Sequence, residues 1–165
     1  MYNGSTLFLD RDGVINKKLD GRYVRSFKEF LFMPGSLSAI SKLSDVFQFI
    51  IIITNQQGIG KGLMSEEDLN LLHKKMIFNI QDAGGRIDKI YYCPHLESAG
   101  CKCRKPKAGM LEEAFCDFPS IDISNSYMVG DSDSDIQAGM RKNLNTVKVD
   151  SQYTLASWAR EILKK

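Results

Sequence analysis

Two aspartates, Asp10 and Asp12, stand two residues apart in "FLDRDGVIN", directly behind an apolar run. In extended backbone the side chains at i and i+2 point the same way, so both carboxylates can face one bound group. One carboxylate can attack a phosphoryl group to give an aspartyl-phosphate while the second supplies and later removes a proton. The pair also suits an Asx turn ahead of Gly13, and taken alone it does not separate the two readings. Two carboxylates facing a phosphate dianion repel it, so the chemical reading requires a cation. Asp131, which closes "YMVGD", is placed to share Mg²⁺ with Asp10, since that ion commonly takes one or two carboxylates together with phosphate oxygen and water. Asp133 and Asp135 are candidates for orienting the ion's waters or the loop, although for Asp133 a helix N-cap is the better fit.

Anion-binding groups recur further along the chain. Thr54 and Asn55, opening "TNQQGIGKG", offer a hydroxyl, an amide and backbone N–H groups to phosphate oxygens, with Gln56 beside them as a substrate contact. Gly58, Gly60 and Gly62 let this backbone turn, but "GIGKG" lacks the Walker spacing G-x-x-x-x-G-K-[ST]. In "CRKPK", Lys105 supplies a point charge for a transferring phosphoryl group, and Arg104 supplies a planar fork for a second anionic or hydroxylated part of the substrate. Arg22, Arg25 and Lys61 could join Arg104 around a second phosphate.

A second cluster lies in "CPHLESAGCKC". Cys93, His95, Cys101 and Cys103 provide three thiolates and an imidazole, which satisfy tetrahedral Zn²⁺, and a closed set of four protein ligands makes a structural site. Arg104 and Lys105 follow the last ligand directly, so the ion would fix both. Cys116 reads as a core residue, His73 as a surface or boundary residue of a helix, and Trp158 as the anchor of the last helix.

These residues need a scaffold that brings distant segments together. "TLFLD" and the continuous β-branched run "FQFIIIIT" predict buried strands, the second covered on both faces. "IDKIYYC", "SYMVGD" and "NTVKV" predict three more. Between and after them, helices are expected in "MPGSLSAISKLSD", with Pro34 and Gly35 as start signals, after the Ser65 and Asp68 capping pair, in "GMLEEAFCDF", in "DIQAGMRK" and in "YTLASWAREILKK". Such alternation predicts a Rossmann-like three-layer α/β/α fold around a parallel sheet, with ligands beyond the carboxyl ends of the strands. The polar stretches "DRDG", "TNQQG", "CPH" and "GDSDSD" all fall there.

The 165 residues fit one domain, 1–165, with no room for a separate cap. With 22 Lys and Arg against 20 Asp and Glu, no overall basic field favours nucleic acid. The N-terminal stretch does not resemble a signal peptide, and the longest apolar run is too short to span a bilayer, so the expectation is a cytoplasmic monomer without a membrane partner.

The four stations resemble the haloacid dehalogenase superfamily of phosphohydrolases across nearly the whole length. "DRDG" is similar to its first motif, Thr54 to its second, Lys105 to its third and "GDSDSD" to its fourth. The resemblance implies Asp10 as nucleophile, Asp12 as general acid and base, and Thr54 and Lys105 as phosphoryl ligands. It also implies Mg²⁺ held by Asp10, the backbone carbonyl of Asp12, and Asp131. "YYCPH", "CRKP", "GML" and "SYMVGD" resemble the zinc-containing subgroup that includes the D-glycero-D-manno-heptose 1,7-bisphosphate phosphatases and the histidinol-phosphate phosphatases. "TNQQGIG", "GML" and "GRYVRSFKEFLFMPG" are closer to the heptose enzymes, which implies a small phosphorylated metabolite, a sugar bisphosphate, as substrate. The five residues between His95 and Cys101, and Ser132 after Asp131, depart from many of those enzymes, and the short spacing is that of the histidinol-phosphate branch. A phosphatase acting on nucleic-acid ends would use the same chemistry but should carry a basic, aromatic-lined groove.

Overall fold

In the computed structural model, which describes residues 2–164, five strands form one parallel sheet in the order β3-β2-β1-β4-β5. The strands are β1 (Tyr2–Leu9), β2 (Phe47–Asn55), β3 (Lys89–Cys93), β4 (Tyr127–Gly130) and β5 (Asn145–Lys148). Met1 and Lys165, the ends of the predicted unit 1–165, lie outside the described residues. Between the strands run α1 (Ser36–Ser44), the single turn α2 (Gln57–Gly60), α3 (Glu66–Asp82), α4 (Gly109–Asp117) and α5 (Asp133–Arg141), with α6 (Leu155–Ile162) closing the chain.

The apolar runs of β1 and β2 are continuous because both faces of the sheet are covered. Leu7, Leu9, Ile50 and Ile52 pack on one side with Ile40 and Leu43 of α1, Leu72, Met76 and Ile80 of α3, and Trp158 of α6. Phe8, Ile51 and Ile53 face the other way, against Met110, Leu111 and Ala114 of α4 and Ala138 of α5. Alternate residues of each strand thus serve opposite layers, as the pleat requires. Trp158 does anchor the last helix.

The helix ends follow the sequence signals. Gly35, with φ at 77°, is the N-cap of α1. Ser65 and Asp68 exchange hydrogen bonds as a capping box on α3. Observed β1 begins four residues earlier than the predicted 6–10, with a register irregularity between Tyr2 and Thr6. The loop "TNQQGIGKG" contains the short α2, which its glycines hid from the sequence.

Three readings need correction. Cys116 is exposed: the buried face of α4 carries Met110, Leu111 and Ala114, and two residues beyond Ala114 the helix has turned through about 200°. His73 is buried, not a surface residue, because it lies four residues after Leu69 on the inner stripe of α3. Asp133 is not the N-cap of α5; Ser132 holds that position, and Asp133 pairs with Lys148 at 2.6 Å on the surface.

Strand order decides where the site falls. The first half of the chain builds outward from β1 to β3, and the chain then returns to place β4 on the other flank of β1. The ends of β1 and β4 therefore diverge at a topological switch point, where such sheets open a crevice.

Candidate active site

The crevice is a cleft of about 230 Å³ whose walls include Asp10, Asp12, Asn55, Gln56, Arg104, Lys105, Asp131 and Asp135. Asp10 follows β1 directly and its backbone N–H donates to Val129 O of β4 at 3.0 Å, which ties the loop to the switch point. The chain then turns at Gly13, whose φ is 87° and whose N–H donates to Asn16 O at 2.8 Å. A Cβ at Gly13 would collide with the Asp131 carboxylate, so only glycine lets the two loops approach this closely.

Lys105 is the hub of the floor and is 4% exposed. Its Nζ donates to Asp10 Oδ1 at 2.9 Å and to Ile53 O at 2.7 Å, and pairs with Asp135 Oδ1 at 2.6 Å. An ammonium has three donors, so all are engaged, and a phosphoryl oxygen would have to take the place of one of these partners. Burial pushes the Asp10 pKa up to about 8, with Lys105 opposing and Asp135 and Asp12 adding to the rise. Burial opposes the charge on Lys105 too, but Asp10 and Asp135 raise its pKa and keep it an ammonium.

Asp12 stands in contrasting surroundings. Its Oδ1 accepts from Arg11 Nη2 and Asn16 Nδ2, each at 2.9 Å, and its Oδ2 accepts from Gln56 Nε2 at 3.0 Å. Burial works against ionisation, yet the Arg11 charge and the hydrogen bonds from Asn16, Arg11 and Gln56 outweigh it and hold the pKa below the usual value.

The other predicted residues divide by position. Thr54 is fully buried and accepts from Gln56 Nε2 at 2.8 Å. Asn55 braces the Lys105 backbone on both sides, donating to its carbonyl at 3.2 Å and accepting from its N–H at 3.0 Å. Arg104 and Arg22 line this cleft, whereas Arg25 and Lys61 line an adjoining one with Arg22. Asp135 closes a capping box with Ser132 in addition to its pairing with Lys105.

Side-chain oxygens of Asp10, Asp131 and Asp135 all lie within 4.8 Å of one another, close enough to share a cation. Asp131 Oδ1 is buried with no hydrogen-bond partner among the described residues, an acceptor suited to a hard cation such as Mg²⁺. Lys18 reaches Asp131 Oδ2 at 3.1 Å from the opposite wall. Sequence reasoning missed Lys18, Asn16 and Arg11; only Arg11 carried a signal, its place between the two aspartates.

The cysteine cluster assembles as expected. Cys93 Sγ lies 3.6 Å from Cys101 Sγ and 3.5 Å from His95 Nδ1, which in turn is 3.2 Å from Cys103 Sγ. Tetrahedral zinc with ordinary bond lengths separates its ligands by about 3.8 Å between sulfurs and about 3.6 Å between sulfur and nitrogen. The cage is thus of the right size, its three cysteines are free thiols, and this set could hold zinc. No helix among the described residues is long and apolar enough to cross a membrane.

Comparison with known proteins identifies the class of this fold. A family model described as HAD-hydrolase-like matches residues 102–164. The D-glycero-alpha-D-manno-heptose-1,7-bisphosphate 7-phosphatase of Campylobacter jejuni is 43% identical over 141 residues, covering 86% of this chain and 79% of that protein. The D-glycero-beta-D-manno-heptose-1,7-bisphosphate 7-phosphatase of Pasteurella multocida is 41% identical over 150 residues, 87% of this chain and 80% of that protein. The crystal structure of D,D-heptose 1,7-bisphosphate phosphatase from B. bronchiseptica, complexed with magnesium and phosphate, superposes with a TM-score of 0.90 at 32% identity, covering 97% of this chain and 98% of that one. The chain belongs to the haloacid dehalogenase-like hydrolases, in the branch that holds these heptose bisphosphate phosphatases. It is accordingly a phosphoric monoester hydrolase.

Proposed function

We propose that the chain removes the 7-phosphate of D-glycero-D-manno-heptose 1,7-bisphosphate through an aspartyl-phosphate on Asp10. The observation that carries this reading is the convergence of two carboxylates, Asp10 and Asp12, with Lys105 and Asp131 in one cleft at the switch point, Lys105 Nζ lying 2.9 Å from Asp10 Oδ1. An Asp10 oxygen attacks phosphorus, the ester P–O bond breaks, and Asp12 gives its proton to the departing sugar oxygen. Water then attacks the aspartyl-phosphate, Asp12 takes the proton, and the bond to Asp10 breaks to release inorganic phosphate. Thr54 and Lys105 hold phosphoryl oxygens, with Asn55, Gln56 and Arg104 around the rest of the substrate. Asp10, the Asp12 carbonyl and Asp131 are the Mg²⁺ ligands; when bound, the ion offsets the negative charge gathered between carboxylates and phosphate. The Cys93, His95, Cys101 and Cys103 set holds structural Zn²⁺.

Lys18, Arg22 and Arg104 line the same cleft and suit a substrate with a second phosphate. The five-residue spacing in the cysteine loop favours the alternative, histidinol phosphate, whose far end is cationic and mismatched to those side chains. The reading includes a single domain acting as a cytoplasmic monomer without a nucleic-acid or membrane partner. It is tested by Asp10→Asn with Mg²⁺ and the heptose bisphosphate: phosphate release should vanish, and unchanged release would refute the assignment.

A further inference from the structure

The residue between the two aspartates extends the site well beyond the crevice. Arg11 is fully buried. Its Nη2 donates to Asp12 Oδ1 at 2.9 Å, while its Nη1 meets Nε2 of His73, on α3, at 3.1 Å. A guanidinium has only donors, so His73 must accept through Nε2 and keep its proton on Nδ1. Burial, reinforced by the Arg11 charge, pushes the His73 pKa down to about 3 and leaves the ring neutral. The Phe30 ring flanks the guanidinium, with Cζ 5.9 Å from its centroid. Arg11 Nε has no partner among the described residues, so Asp12 and His73 carry its recorded hydrogen bonds. A buried cation held this sparsely depends strongly on each partner.

We propose that His73 is a positioning residue for the proton-transfer carboxylate: it fixes the Arg11 fork, and Arg11 fixes Asp12. The proposal rests on the role given to Asp12 above. His73 lies on the inner face of α3 beside Leu69, Leu72 and Met76, so the relay references the Asp12 oxygen to the hydrophobic core rather than to its own loop alone. Gln56 holds the carboxylate from the crevice wall, and the fully buried Asn16 and Arg11 hold it from the protein interior. Small displacements of a reacting group are costly, about 100-fold in rate for 1 Å, so a distant ring can matter without touching substrate.

The test uses the intact chain with Mg²⁺, assayed on p-nitrophenyl phosphate as well as the sugar bisphosphate. An incorrect substrate assignment would then appear in the wild type, whereas an incorrect relay would appear only in the variants. His73→Leu should lower kcat by about tenfold or more while KM stays within about twofold, because the ring makes no substrate contact. His73→Gln, whose amide oxygen can accept from Arg11 Nη1, should recover most of that loss. In an Arg11→Met background, His73→Leu should cost almost nothing further. The ¹⁵N shifts of His73 at neutral pH should show a bare Nε2 and a protonated Nδ1, independent of any assay. Unchanged kcat in His73→Leu, an undiminished loss in the Arg11→Met background, or a protonated Nε2 would each overturn the relay.

Discussion

The catalytic crevice and the cysteine loop are neighbours in the chain, yet different forces shape them. The crevice is built on strand ends: Asp10 and Lys105 are 8% and 4% exposed, seated on the packed ends of β1 and β2 and tied together by ion pairs. The loop leaves the sheet at Cys93, and His95, one of its four clustered side chains, is exposed. The hydrophobic core therefore positions the first region, and in this account a metal ion positions the second. The crevice stores electrostatic tension, a raised pKa on Asp10, while the loop meets the second core layer through Cys93, Cys101 and Cys103. The two meet at Arg104 and Lys105, through which an ordered loop can act on the chemistry.

Perturbations of the two regions should consequently have different signatures. The largest effect is expected from Asp10→Asn, which should reduce turnover by about 10⁴-fold or more while leaving the thermal midpoint unchanged or raised, since a costly buried carboxyl is removed. A large fall in stability with that variant would mean that the crevice is held by its charges and not by the sheet. Cys101→Ser should do the opposite: zinc content by mass spectrometry and the thermal midpoint both fall, and turnover drops by about tenfold through displacement of Arg104 and Lys105. Loss of zinc with full turnover would sever the two regions.

Arg104→Glu sharpens the comparison at their junction. It should raise KM for the bisphosphate about tenfold more than for a simple monophosphate ester, and equal losses would remove Arg104 from recognition of the second phosphate. The smallest effect concerns pH. His73 is neutral in the folded protein, with a pKa of about 3, but titrates near 6.5 when unfolded, so the unfolded chain binds more protons between these values. Its contribution to stability is thus complete above pH 6.5 and is lost as the pH falls, by about 2 kcal/mol at pH 5. Denaturant titrations should show a smaller acid loss in His73→Gln than in the wild type; equal losses would place the titrating group elsewhere.

The sheet was legible because burial on two faces writes continuous β-branched runs, as in "FQFIIIIT". The grouping of Asp10 and Asp131 could be anticipated because each follows the carboxyl end of a strand, where ligands bind in such sheets, whereas Lys105 reaches them from the long loop after β3. Arg11 and His73 were not legible as a pair. An arginine between two aspartates looks solvated, and His73 is followed by Lys74 and Lys75, which disguise the inner stripe to which it belongs. Lys18 was missed for a related reason: it lies in an irregular segment whose path is set by tertiary pairing, with Lys17 N–H donating to Leu31 O at 2.7 Å, and not by any local periodicity.

The most direct measurement is phosphate release by the Mg²⁺-loaded enzyme from heptose 1,7-bisphosphate and from histidinol phosphate at matched concentrations. The account predicts a preference for the heptose of about tenfold or more in kcat/KM, because the basic wall of the crevice meets a second phosphate in one case and a cation in the other. An equal or reversed preference would contradict it and make the short cysteine loop the better guide to the substrate.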